Sequence, residues 1–258
     1  MPDPFDEIET KIDRAGEHID ALNGEIRHWA EGNPYSVEGE PIGPSSYHRI
    51  YVRLHKVPNV RRWGVLLGDA VHNLRSALDH LVYALAIRVT GQDPPPGFDH
   101  LQFVIVDEPS DWNGQMWHLK PLSDEIRSLI ASVQPYTTNP LGRVPYDSLR
   151  WLRELDDADK HRMIRPVFIA PAGFEAILRT ITEGSMTIHA PLAPIEDKAT
   201  IFTVTGEAIT EVEDEIKVAL GIAIEVVPKV PVLLHVALDQ MFNRVVDVAR
   251  QFRESFLI

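Results

Sequence analysis

The stretch that most constrains this chain covers residues 58–90, PNVRRWGVLLGDAVHNLRSALDHLVYALAIRVT. Its apolar periodicity and length are those of one long helix. Val65, Leu66, Leu67, Ala70, Val71, Leu74, Ala77, Leu78, Leu81, Val82 and Leu85 cover most of the circumference, so the helix must be buried on several sides. At about 100° per residue, Asp69, His72, Asn73, Ser76, His80 and Tyr83 share an arc of about 100°. This polar row is expected inside the domain, where an unmade hydrogen bond costs roughly 1–3 kcal/mol. It is therefore either a structural network or a site. Asn59 is placed to cap the first turn, and Gly91 marks the end.

Two other helices are written as narrow seams. In residues 5–30 the apolar positions are Ile8, Ile12, Ala15, Ile19, Leu22, Ile26 and Trp29, in steps of four and three. That heptad pattern docks on another helix, within the chain or across a dimer, and four heptads need no second chain. Leu234, Leu238, Met241, Val245, Val248, Phe252 and Phe256 repeat the pattern in a final helix expected to begin at Pro231. Between them, residues 32–46 read as an exposed Gly/Pro/Ser loop, and 47–57 as a strand with Ile50, Val52 and Leu54 facing inward. Residues 101–106 form a short strand candidate. Ser123 caps a helix carrying Ile126, Leu129, Ile130 and Val133, and Leu149, Leu152 and Leu155 mark another that Pro166 closes.

From 167 to 227 the pattern changes to short β-rich runs (VFIA, FEAILRTI, SMTIHA, ATIFTVTG, EIKVALGIAIEVV), which predict an antiparallel sheet of about four or five strands. The fold class is α+β: a long buried central helix with the N- and C-terminal helices beside it, plus that sheet. Residues 1–258 form one unit, with 1–165 mainly helical, 166–230 the sheet, and 231–258 a helix returning to the helical layer.

A chain of 258 residues with 44% hydrophobic content can bury a full core. The absence of cysteine excludes thiolate chemistry and fits a reducing cytoplasm. The start MPDPFDEIETKID has neither a basic nor an apolar leader region, and no apolar run approaches the roughly 18 residues of a membrane span. A cytoplasmic protein with no membrane partner is expected. The formal charge of −13 argues against a general nucleic-acid binder. It is unevenly spread, with eleven acids against three bases over 1–40 and seven bases against two acids over 41–90.

The segments GDAVHNLRSALDHL and LRELDDADKHR resemble a widespread family of bacterial proteins without an assigned reaction. The resemblance is strong over 68–81 and 156–162 and loose elsewhere, and it implies that the two polar segments belong together. Within the first, Arg75 to His80 reads R-S-A-L-D-H, which is similar to the R-x-x-x-x-H motif of HEPN-type ribonucleases. That likeness implies an RNA partner, a homodimer and metal-independent RNA cleavage. His80 would serve as general acid or base at the ribose 2′-hydroxyl while Arg75 stabilises phosphate charge. Asp69 and Asn73 complete the catalytic candidates; His72, Ser76, Asp159, Lys160, His161 and Arg162 are the ligand-binding candidates. One departure is geometric: five residues of regular helix set Arg75 and His80 about 140° apart.

Other readings use the same residues. Asp69, His72, Asn73 and His80, with Asp159 and His161, offer metal-type ligands, but His72 and His80 are about 12 Å apart along the helix and cannot share one ion. No metal or cofactor is assigned. In a non-enzymatic reading the row locks the helix to its neighbours, with Arg75 and Asp159 as a buried pair, or holds a small ligand. Lys160, His161 and Arg162 suit a phosphate, though a helix C-terminus favours cations by itself. No Gly-rich phosphate loop, G-x-S-x-G elbow or H-E-x-x-H pair occurs.

Overall fold

The computed structural model describes residues 4–43, 47–138, 147–169, 192–205, 221–227 and 230–256. The fold is α+β. At its centre α2 (Val60–Thr90) begins where the Asn59 side chain accepts from the Arg62 amide at 3.2 Å, and it ends on Gly91 in the left-handed conformation, φ 67°. Leu67, Ala70, Val71, Leu74, Ala77, Leu78, Leu81, Val82 and Leu85 are fully buried. Three helices bury them. α1 (Pro4–Ala30) lies along α2 with its predicted seam turned inward; α7 (Leu234–Phe256) packs on both, and α6 (Ser148–His161) packs on α2 and α7. The heptad seam of α1 is thus satisfied within the chain. Asp147 caps α6 by accepting from the Leu149 and Arg150 amides, and Ser123 caps α4 (Asp124–Ser132). Among the described residues there are also two short α-helices, α3 (Pro109–Gln115) and α5 (Pro135–Thr138).

Among the described residues, seven strands form two antiparallel sheets. In the first, β2 (Tyr47–Leu54) lies between β1 (Tyr35–Pro41) and β5 (Thr200–Thr205). Residues 35–41 are therefore a strand, not the exposed loop that their Gly and Pro content suggested. Only Val37 of β1 is fully inward, so alternation is hard to see, and pairing to β2 together with stacking of Tyr35 on Trp29 (6.0 Å between rings) holds the strand. In β2, Ile50 and Val52 are buried as expected. Tyr51 is buried too, under the guanidiniums of Arg49 and Arg53, and its hydroxyl donates to Glu38 at 2.7 Å.

The second sheet has the order β4 (Leu192–Pro194), β3 (Val167–Ile169), β6 (Gly221–Val227), β7 (Val230–Leu233). Strands from the early part of the chain thus join β5, and the sheet structure is not confined to 166–230. Pro231 does not open the last helix. It sits in the edge strand β7, beside a register shift against β6, the kind of strand position in which proline is found. The runs expected as strands at 174–181 and 185–190 lie outside the described residues, as does the start of the run at 215–227.

Residues 101–106 join no helix or sheet among the described residues. Side chains take the place of a strand partner. Asp79 accepts from the Phe103 amide at 2.8 Å, Gln134 both accepts from the Val106 amide and donates to the Val104 carbonyl at 2.8 Å, and Arg153 donates to the Ile105 carbonyl at 3.2 Å. Phe103, Val104, Ile105 and Val106 can then be buried without stranding their backbone.

α2 and the end of α6 meet at two glycines. A Cβ on Gly64 would lie 2.5 Å from the Ile164 carbonyl oxygen, and one on Gly68 would lie 2.5 Å from both Asp159 carboxylate oxygens. Gly24, on α1, has open space around it. Gly24→Ala should therefore raise stability in urea unfolding by about 0.5–1 kcal/mol through helix propensity. Gly64→Ala should lower it by about 1–2 kcal/mol net, because overpacking against backbone outweighs that gain. Gly68→Ala should fall between them, since a side chain can move aside. Equal effects of Gly24→Ala and Gly64→Ala would contradict this packing.

Candidate functional site

The polar row of α2 emerges along the seam where α1 and α6 flank the helix. It is not in the interior: Asp69 and His72 are exposed, and Asn73, Ser76, His80 and Tyr83 are half-buried. The apolar residues already use the three faces that neighbouring helices cover, and the remaining arc is left at the rim. The row does adjoin the Asp156–Arg162 bend. His72 Nδ1 lies 3.6 Å from the buried Asp156 carboxylate, which Lys160 also engages at 2.7 Å, and the Asp159 carboxylate lies over Gly68. On the other side, His18 and Glu7 of α1 face Asp69 at 3.9 Å and His80 at 3.3 Å. These three imidazole contacts become ion pairs when the ring is protonated.

Arg75 and His80 do not converge. Arg75, with 13% of its side chain exposed, turns to Asp79 at 3.1 Å, toward the 101–106 segment, while His80 turns to α1. The paired arginine–carboxylate expected between Arg75 and Asp159 is replaced by this i, i+4 pair on α2 itself. Burial raises the Asp79 pKa, and Arg75 and the Phe103 amide oppose that shift. Asn73 donates back one turn within the helix to the Asp69 carbonyl at 2.7 Å, and Tyr83 donates to Asp93 at 3.1 Å. Lys160 is committed to Asp156 and Asp157; His161 and Arg162 are exposed, and the Arg162 amide closes α6 on the Ala158 carbonyl at 2.8 Å. Among the described residues no three His, Asp or Glu side chains are grouped to hold a metal ion. No helix among them is long and apolar enough to cross a membrane.

Four partners in this arrangement had no role in the sequence reading: Glu7, His18, Asp79 and Asp156. Asp79 stands inside the R-S-A-L-D-H motif, four residues after Arg75, and that spacing is the signal for the pair. Asp156 and Lys160 show the same spacing. Glu7 and His18 carry no local signal, because only the docking of α1 brings them to α2. No family model matches the sequence, no curated protein is similar to it, and no solved structure matches the fold.

The Asp159 pKa is raised, first by burial and then by the negative charges of Asp69 and Asp156, with His72 opposing. The folded chain therefore holds that proton more tightly than the unfolded chain. Stability falls as pH rises from the unfolded to the folded pKa, and at neutral pH the ionised group is a net cost. Asp159→Asn should unfold at higher urea than the parent at pH 7, with the gap closing as pH falls through the carboxylate range. A gap that widens toward acid would show that the carboxylate is stabilised, not strained.

Proposed function

We propose that this chain is a non-enzymatic binding or interaction protein, in which the polar row of α2 is a clamp between helices and not a catalytic centre. One observation carries the reading: the ionisable side chains of the row, and Arg75 beside it, each lie against a complementary group on α1, on α6 or within α2, the imidazole contacts becoming ion pairs when the ring is protonated. Asp69 is met by His18, His72 by Asp156, Arg75 by Asp79 and His80 by Glu7. Such pairs fix helix register and orientation while adding modestly to stability where exposed. The rival, metal-independent RNA cleavage of HEPN type, needs Arg75 free to meet a phosphate beside His80. Here Arg75 is mostly buried and bound to a carboxylate, and acidic groups line the neighbouring surface.

The two readings differ in what Arg75 and His80 do when removed. Under the clamp reading Arg75→Ala, which leaves Asp79 in a half-buried site without its cation, lowers stability by about 1–3 kcal/mol. His80→Ala, which loses a contact to an exposed Glu7, changes stability by less than about 0.5 kcal/mol. The purified protein leaves a mixed-sequence single-stranded RNA intact. RNA cleavage by the parent that is lost in His80→Ala at an unchanged melting temperature would overturn the proposal and support the HEPN-type reading.

A further inference from the structure

α1 and α7 run antiparallel, with Glu9 bridged to Arg253 toward one end and Gly16 lying under the Phe242 ring farther along. Between the two helices is a cleft of about 310 Å³. Its floor is apolar, made of Phe5, Ile8 and Ile12 from α1 and Val246 and Ala249 from α7. The short side chain of Ala249 leaves room that a larger residue would fill. Arg253 spans the cleft, pairing with Glu9 while its guanidinium lies 5.5 Å from the centre of the Phe5 ring. The two side chains of this bridge are 48% and 55% exposed, so it can part at little cost. At about 30 Å³ each, about ten non-hydrogen atoms fit in such a space.

The charges at the rim of the cleft do not balance. Arg253 is spent on Glu9, and Arg250 turns to Asp247 at 2.6 Å. Asp13, exposed on the α1 rim, has no hydrogen-bond or ion-pair partner among the described residues. Asp6 and Asp20, exposed seven residues to either side of it, lie on the same stripe of α1. Lys11 sits about 160° round the helix from Asp13 and is turned away from it. Glu9, Asp13 and Asp247 therefore meet only the guanidiniums of Arg250 and Arg253, which leaves one carboxylate over.

We propose that this cleft is a binding site for a small hydrophobic amine. An apolar body of about eight to ten carbon atoms lies on the floor, and its ammonium head pairs with Asp13. The floor offers no hydrogen-bonding side chain, so a polar body would give up its hydration there without replacement. An anionic head would meet Asp13, and the two arginines would have to leave carboxylates they already hold to receive it. The cleft is built from α1 and α7 and uses none of the α2 row, so the inference stands whichever reading of that row holds.

The test is isothermal titration calorimetry of the full chain, at neutral pH and low salt, with phenylbutylamine, phenylbutanol and phenylbutyrate, which share one apolar body. The amine should bind saturably at one site, the alcohol about threefold to tenfold more weakly, and the carboxylate more weakly still. Methyl NMR should place the amine by saturable shifts of the Ile8, Ile12 and Val246 signals. Asp13→Asn, a change at the surface, should bring the amine down to the affinity of the alcohol and leave the alcohol unchanged. Ala249→Phe should fill the cleft and abolish binding of all three, with circular dichroism reporting its fold; should it fail to fold, Asp13→Asn and the methyl shifts decide. The proposal is overturned if the amine shows no saturable binding, if the carboxylate binds as tightly, or if the methyl shifts lie elsewhere. It is also overturned if Asp13→Asn keeps the advantage of amine over alcohol, or if a folded Ala249→Phe variant still binds the amine.

Discussion

Leu67, Leu74, Leu78, Leu81 and Leu85 leave water completely when α1, α6 and α7 close around α2. Each buried side chain of that size contributes about 1.5–3 kcal/mol before chain entropy is counted. Because the apolar surface wraps most of the helix, three packing partners are needed, and their positions are largely dictated. The polar arc is the one face that no helix can cover at low cost. It therefore opens along the seam between α1 and α6, where half-exposed side chains keep contact with water and still reach across to neighbours.

That seam explains the chemistry of the row. Gly64 and Gly68 let the end of α6 come close enough for the Asp159 carboxylate to rest on α2. The approach brings Asp69, Asp156 and Asp159 near one another, and His72 and Lys160 supply the opposing charge. Farther along α2, Asp79 does two jobs at once, accepting from the Phe103 amide and holding Arg75. The same device recurs with Gln134 and Arg153, so polar side chains, not a strand, hold residues 101–106 against the core. A network arranged this way specifies which helix lies where.

The helical part of this arrangement was legible in the sequence because its signals are local. The seam from Ile8 to Trp29, the caps at Asn59 and Ser123, and the stop at Gly91 each depend on residues within a turn or two of one another. The side on which the polar row opens was not legible. Periodicity shows that Asp69 and His80 share a face, but only the docked positions of α1 and α6 decide whether that face is covered. Residues 35–41 failed for a similar reason: Gly39 and Pro41 mask a strand that depends on β2 and on Trp29. Pro231 has two lawful positions, the first turn of a helix and an edge strand, and nothing nearby in the sequence chooses between them. The likeness of Arg75 and His80 to a two-residue motif was visible, whereas the partners that hold them apart came from α1 and from Asp79.

If α2 is the axis on which the other helices assemble, its middle should open last. Native-state hydrogen exchange measures this directly. The amides of Leu74, Leu78 and Leu81 should exchange only through global unfolding, with opening free energies equal to that from urea and higher than those at the ends of α1 and α7. Exchange of those three amides through a lower-energy local opening, while α1 and α7 remain protected, would contradict the account.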